Sequence, residues 1–154
     1  FKAYKQALNY VALNYPQSEE GKKAQQLLSS ALPTMENEKF SDDSLDDSYK
    51  LVFMVERDKS EAAAGVKAAI SKLPEMQQQP KLSASLDVYD EKSNFVVIHG
   101  FSSPQMALSF AEKIEKAIDT EGEGNYFYIS NSNYRIAQIH KNINTYLESL
   151  NKTP

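Results

Sequence analysis

Two histidines, His99 and His140, are the side chains in this sequence best suited to acid–base or metal chemistry. They fall on separate predicted elements, and no third ligand stands at a spacing that would complete a zinc site. No P-loop, G-x-S-x-G or dinucleotide-binding glycine pattern occurs either. His99 alternates out of a predicted strand in the run VIHGF, which favours a surface or edge position. The sequence therefore predicts a protein that is not an enzyme and that uses no metal or other cofactor.

A group of aspartates between residues 33 and 48 is the other candidate for ion binding. Its members are Asp42, Asp43, Asp46 and Asp47. A calcium-binding EF-hand needs alternating oxygen ligands, a central glycine and a glutamate at the twelfth position, and this segment lacks that arrangement. The hydrophobic periodicity also stops here. We therefore expect residues 33–48 to be a solvated acidic linker.

Length and charge exclude several classes of protein. The chain has 154 residues, which is enough for one domain, or for one domain and a short appendage. A formal net charge of -4 argues against nucleic-acid binding, which needs a clustered basic surface. No segment approaches the roughly 20 apolar residues of a membrane span. Because Phe1 opens directly into a helical pattern, we expect a fragment of a longer protein.

Residues 1–32 predict two helices joined by a tight turn. Pro16 interrupts the first helix, and Ser18 is a suitable N-cap for the second. Such a hairpin cannot bury its apolar face alone, so Tyr4, Leu8 and Val11 form a candidate interaction surface. The Tyr-Pro turn and the alanines that follow resemble a tetratricopeptide repeat, in the looser form of outer-membrane lipoproteins. An ordinary helical hairpin is the alternative.

Residues 49–154 alternate between strand and helix patterns in the order β-α-β-β-α-β. The strands are predicted in YKLVFMVE, KLSASLDVY, FVVIHGF and YFYIS. Apolar side chains of the first helix are Ala62, Val66, Ala69, Ile70 and Leu73, and those of the second are Ala107, Phe110, Ala111, Ile114 and Ile118. With right-handed crossovers, this order gives an α+β, ferredoxin-like domain: a four-stranded antiparallel sheet with two helices on one face.

A further helix is predicted after the last strand. Its apolar stripe consists of Ile136, Ile139, Ile143, Tyr146, Leu147 and Leu150. The first strand is apolar on both faces, so it needs cover on both sides. We expect the C-terminal helix to cover part of the open sheet face, to pack at its edge, or to pack against the hairpin. Ser130, Asn131 and Ser132 are predicted cap and turn residues, and Asn142 is predicted to recap the helix after an interruption.

The ending of the chain resembles that of a family of Bacteroidetes lipoproteins in which tetratricopeptide repeats precede a small α/β domain. The matching residues are Phe127, Ile129, Ser130, Asn133, Tyr134, Lys141, Tyr146 and Leu147. Within that family the ending is most similar to the SprE/PorW type, which serves gliding motility and type IX secretion. The resemblance implies a periplasm-facing protein with a lipid anchor in the outer membrane. It also implies a non-catalytic role, with other secretion and motility proteins as partners.

A second resemblance suggests a different role. The segment VVIHGFSSPQMALSFAEKI, which contains Gly100 and Phe101, is similar to the strand–Gly-Phe–helix segment of SPOR domains. Those domains share the predicted order of elements and bind peptidoglycan on the open sheet face. An open face with polar and aromatic residues favours such a glycan-binding module, whereas a covered face favours the scaffold.

Overall fold

The computed structural model describes residues 1–117 and 125–152. Its helices are α1 (Lys2–Asn14), α2 (Glu19–Ser29), α3 (Ala31–Asn37), α4 (Ser60–Ser71), α5 (Pro74–Gln78), α6 (Pro104–Ala117), α7 (Asn131–His140) and α8 (Ile143–Lys152). Its strands are β1 (Tyr49–Glu56), β2 (Ser83–Val88), β3 (Ser93–Phe101) and β4 (Tyr126–Ser130). Short 3-10 turns cover Asp43–Leu45 and Arg57–Lys59. Ile118, predicted to face the core, lies outside the described residues.

The four strands form one sheet in the order β2-β3-β1-β4, and every neighbouring pair is antiparallel. The predicted α+β class with a four-stranded antiparallel sheet is thereby confirmed. β1 lies inside the sheet, with Leu51 opposite Ile98 of β3 and Tyr128 of β4. The strands β1 and β4 have the bounds that the runs YKLVFMVE and YFYIS predict.

Helices α4 and α6 cover the first face of the sheet. The core there consists of Tyr49, Leu51, Ala63, Ile70, Leu82, Val96, Ile98, Phe101, Ala107, Phe110, Ala111 and Ile114. Ala63 is buried where the sequence predicts Ala62, which is exposed. Pro74 ends α4 as predicted, but it also begins α5, because proline suits the first turn of a helix. The predicted polar loop after Pro74 is therefore partly helical.

The second face of the sheet is covered by α7 and α8. Its core consists of Val52, Tyr89, Phe95, Val97, Phe127, Ile129, Tyr134, Ala137, Ile143 and Tyr146. The expectation that a C-terminal helix covers part of this face is confirmed. Lys141, at φ 54°, separates the two helices in the left-handed conformation and donates its N–H to the Ala137 carbonyl. The predicted interruption at Lys141–Asn142 is confirmed, and the Asn142 carbonyl accepts the Thr145 N–H at the start of α8. The Asn142 side chain does not cap this helix, because its oxygen is buried without a partner among the described residues.

The N-terminal hairpin forms as predicted, with Ser18 as the N-cap of α2. The Ser18 hydroxyl accepts the Gly21 N–H at 2.9 Å. Gly21 is required by a close approach of the turn, since a Cβ there would lie 1.8 Å from the Tyr15 carbonyl oxygen. A break at the single residue Ser30 separates α2 from α3. The hairpin is thus followed by a third helix, which packs against α7.

Residues 33–48, predicted to be a solvated acidic linker, are all exposed or half-buried, but the segment also contains helical structure that the sequence did not predict. Residues 31–37 form α3, and the segment that follows lies against the second face of the sheet. Phe40 contacts the ring of Tyr146, with centroids 5.3 Å apart. The Tyr49 hydroxyl lies 2.5 and 2.8 Å from the carbonyl oxygens of Asp43 and Asp46. The sequence does not predict these contacts, because tertiary partners such as Tyr146 lie far along the chain and leave no hydrophobic period in the segment itself.

Candidate functional site

Two of the tail residues that carry the resemblance, Asn133 on α7 and Tyr146 on α8, make polar contacts with the segment around Ser41 and Asp43. Asn133 is completely buried. Its side-chain oxygen accepts the Ser41 N–H at 3.0 Å, and its side-chain nitrogen donates to the Ser41 carbonyl at 2.9 Å. The same nitrogen donates to the Asp43 carboxylate at 2.5 Å. Asn133 thus bonds both backbone groups of Ser41, as a neighbouring strand would, and holds the acidic segment, residues 38–48, in place.

Tyr146 makes the second connection to the acidic segment. Its hydroxyl donates to the Asp43 carboxylate and lies 3.1 Å from the Tyr128 carbonyl oxygen. Burial raises the pKa of Tyr146, and the hydrogen bond to Asp43 raises it further. The phenol therefore stays protonated and serves as a donor. This arrangement uses the polar atoms of Asn133, Asp43 and Tyr146 for internal bonds.

The other tail residues also have positions within the fold. Ser130 is the N-cap of α7, accepting the Asn133 N–H at 3.2 Å. Phe127 and Ile129 belong to the core of the second face, and Leu147 packs at its margin. Lys141 supplies the left-handed residue between α7 and α8. The structure gives each of them a role in packing, capping or chain reversal.

A group of half-buried polar side chains lies on the second face of the sheet beside the buried Tyr134 of α7. We call them together the polar shelf, which consists of Lys50, Ser85, Asp87, His99 and Tyr134. The Ser85 hydroxyl lies 2.7 Å from Nε2 of His99, and the Tyr134 hydroxyl donates to Asp87 at 2.6 Å. The Lys50 ammonium lies 5.5 Å from the centre of the Tyr134 ring. These residues come from β1, β2, β3 and α7.

Burial and neighbouring charges shift the titration of the polar shelf. Burial lowers the pKa of His99, and the positive charge of Lys50 lowers it further. Burial also lowers the pKa of Lys50, whose ammonium donates to the Asn131 side chain at 2.6 Å. Burial and the bond to Asp87 raise the pKa of Tyr134. The lowered pKa of His99 keeps its imidazole neutral at neutral pH.

The polar shelf contains one element of nucleophilic catalysis, a serine bonded to a histidine. A working pair also needs a third group that orients the imidazole and donors for an oxyanion. Within the described residues, no hydrogen bond reaches the other ring nitrogen of His99. The shelf thus offers hydrogen-bonding groups beside an aromatic ring, an arrangement suited to binding.

Sequence reasoning missed this shelf and misplaced His99. β3 is an inner strand, and His99 is half-buried on it, so the residue does not lie at the sheet edge. Lys50, Ser85 and His99 all lie on the second face, and strand alternation around the apolar residues of β1 and β3 carries that signal. His140, the other predicted candidate, is not part of the shelf, and its Nε2 lies 2.9 Å from the Met35 carbonyl oxygen.

The predicted interaction surface on α1 is only partly exposed. Tyr4 is 51% exposed, whereas Leu8 and Val11 are half-buried. Further apolar side chains that the sequence did not single out are exposed nearby: Tyr10, Leu13 and Tyr15. Four of the nine large apolar side chains that are exposed in the described part of the chain lie between residues 4 and 15. Exposed apolar surface is therefore concentrated on this helix and its C-terminal turn.

Comparisons of the chain with protein-family models, with curated proteins and with solved structures found no match. Within residues 1–117 and 125–152, no helix is long and apolar enough to cross a membrane. No group of three or more potential metal ligands comes together in that part of the chain.

Proposed function

We propose that this chain is a non-catalytic scaffold or adaptor that supports type IX protein secretion and gliding motility by binding other proteins of those machines. The resemblance of its ending to the Bacteroidetes lipoproteins supports this role. With it we propose a periplasmic location and a parent protein that is anchored to the outer membrane by a lipid.

The observation that carries the proposal is the concentration of exposed apolar side chains on the N-terminal hairpin. Leu13 is 79% exposed, and the rings of Tyr10 and Tyr15 contact each other with centroids 6.5 Å apart. Apolar surface of this kind marks protein-binding sites when it is concentrated in one place. Helical hairpins of repeat proteins use such surfaces to bind other proteins.

We also propose that residues 49–154 form a ferredoxin-like domain. The strand order β2-β3-β1-β4 and the two crossover helices on one face support it. In that arrangement α7 and α8 are additions that cover the second face. Their position supports the scaffold reading, because a covered face leaves little room for an extended glycan.

The experiment is affinity isolation of the chain from the cell envelope, with Leu13→Glu as the test variant. A charge at this exposed position should leave the fold intact and remove the captured secretion and motility proteins, which are identified by mass spectrometry. Leu45→Glu is the matched control, because Leu45 is 86% exposed in a different part of the fold. Equal capture by the wild type and both variants would contradict the proposal.

The polar shelf favours a second candidate, a SPOR-like module that binds peptidoglycan. Its hydrogen-bonding groups on β1, β2 and β3 lie on the second sheet face, which corresponds to the open face that SPOR domains use, and the buried ring of Tyr134 from α7 lies beside them. Sedimentation with purified peptidoglycan tests this candidate. Binding that survives high salt and is lost in Ser85→Ala and Lys50→Met would favour the glycan-binding module over the scaffold.

A further inference from the structure

β4 is an edge strand with unused hydrogen-bonding groups. Among the described residues it pairs only with β1. The Met54 N–H donates to the Asn125 carbonyl at 3.0 Å. Backbone groups alternate in direction along an antiparallel strand, so the N–H and C=O groups of Phe127 point towards β1. Those of Tyr126 and Tyr128 therefore point away from the sheet.

A groove runs along this free edge. Three cavities of about 650, 330 and 290 Å³ follow one another there and share lining residues. Tyr128 and Leu150 line the first and second cavities, and Tyr126, Phe127 and Leu147 line the second and third. We call this continuous depression the β4 groove.

Two helices wall the β4 groove. Leu108 of α6 lines one side and is 39% exposed. Leu147 and Leu150 of α8 line the other side and are half-buried. An apolar side chain on either face of an added strand would therefore meet an apolar wall.

The hydrogen bonds of the edge define which groups a ligand can use. The Tyr128 carbonyl oxygen already has the Tyr146 hydroxyl at 3.1 Å. The Tyr128 N–H and both backbone groups of Tyr126 point away from β1, and within the described residues they have no backbone hydrogen-bond partner. These groups match the spacing of alternate residues in an extended peptide.

The charged side chains around the β4 groove are acidic. Among the described residues, Asp42 and Asp43 are the charged residues that line it, at the end near Tyr128, and no described lysine, arginine or histidine lines the three cavities. A hydrogen bond from the Ser44 backbone lowers the pKa of Asp42, which keeps this exposed carboxylate ionised. Burial raises the pKa of Tyr126, and the negative charges of Glu115 and Glu112 on α6 raise it further.

We propose that the β4 groove binds an extended segment of a partner protein, with alternating apolar residues and at least one lysine or arginine, as an added strand of the sheet. The edge supplies the backbone hydrogen bonds, the helices supply apolar contacts, and the acidic end selects the basic residue. The inference deepens the proposed protein-binding role and rests on it.

A second copy of the chain fits this groove less well than a single segment. Its own β4 would arrive between its own α6 and α8, which would meet the walls of the first copy. Each copy also has a formal net charge of -4, which opposes self-association. A lone extended segment has neither obstacle.

Fluorescence anisotropy with a labelled peptide, Lys-Val-Thr-Val-Thr-Val-Lys, tests the proposal. We expect it to bind the full chain at least ten-fold more tightly than the same peptide with glutamate in place of both lysines. Methylation of the inner amide nitrogens should also weaken binding at least ten-fold. Strand addition would be overturned if the methylated peptide bound as tightly as the lysine peptide, or if none of the three peptides bound.

A charge exchange locates the site. Asp42→Lys should weaken binding of the lysine peptide and strengthen binding of the glutamate peptide. Glu91→Lys is the control, since it makes the same change of charge in the exposed turn between β2 and β3, away from β4. Leu150→Arg should also weaken binding of the lysine peptide, because it removes an apolar contact in the wall of the groove. Equal effects of Asp42→Lys and Glu91→Lys, or an edge-paired dimer in sedimentation, would overturn the assignment.

The peptide-binding experiment and the capture experiment can give different results. Absence of peptide binding with Leu13-dependent capture of machinery proteins would overturn the β4 groove alone. Peptide binding at the groove without such capture would support the groove and contradict the secretion role.

Discussion

At the scale of single residues, Asn133 makes the most consequential polar contacts in the fold. Its side chain holds both backbone groups of Ser41 and the Asp43 carboxylate, and it is completely buried. Removing it takes these bonds from the Ser41 backbone and the Asp43 carboxylate and leaves a gap where the completely buried Asn133 side chain stood. A buried group that loses its partner costs about 1–3 kcal/mol.

Asn133→Ala should therefore lower the free energy of unfolding by about 2–4 kcal/mol, since several bonds are lost at once. Urea denaturation followed by circular dichroism measures it. Asn131→Ala is the control, because Asn131 is exposed and its bonds to Lys50 and Ser48 are at the surface. Similar losses from both variants would mean that the acidic segment does not depend on Asn133.

His99 gives the fold a dependence on pH. Its pKa in the folded chain is lowered by burial and by Lys50, so the unfolded chain takes up the proton first as the pH falls. Stability contributed by neutral His99 should therefore be lost as the pH drops below about 6.5, the usual value for histidine.

NMR titration of the His99 ring should give a midpoint below that usual value, and Lys50→Met should raise it. His99→Gln should remove this part of the loss of stability with falling pH while keeping a partner for Ser85. A midpoint above the usual value would contradict the description of the polar shelf.

At the scale of elements, α6 packs with α4 on the first face of the sheet. Phe110 is buried against Phe101, with ring centroids 5.5 Å apart. Phe110→Ala should lower the free energy of unfolding by about 3–5 kcal/mol, as large-to-small changes in a core do. Leu108→Ala, two positions away and partly exposed, should cost much less. Equal costs, measured by urea denaturation, would mean that α6 faces the other way.

The elements also show which parts of the fold could be predicted from the sequence. β1 and β4 were predicted to the residue, because a strand with apolar residues on both faces differs clearly from its polar neighbours. The acidic segment was not, because its position is set by Asn133 and Tyr146, about 90 to 100 residues further along the chain. Polar contacts between residues so far apart in the chain leave no hydrophobic period in the sequence of the segment itself. The polar shelf was missed for a similar reason, since it joins residues from three strands and a helix.

At the scale of the whole molecule, the C-terminal helices connect the sheet to the N-terminal hairpin. Arg135 of α7 pairs with Glu38 at 2.6 Å, and the Phe1 ring contacts the ring of His140 with centroids 6.1 Å apart. α7 therefore packs against the sheet on one side and against the N-terminal helices on the other. This arrangement leaves α1 and the β4 groove as surfaces available for partners.

The central claim is that the chain acts by contact with proteins and not by binding glycan on the sheet. Photo-crosslinking in living cells tests it most directly, with a photoreactive residue placed at Leu13, at Leu150 or at Lys50 in turn. We predict adducts from Leu13 and Leu150 with secretion and motility proteins identified by mass spectrometry, and no peptidoglycan adduct from Lys50. Peptidoglycan adducts from Lys50, without protein adducts from the other two positions, would contradict the claim.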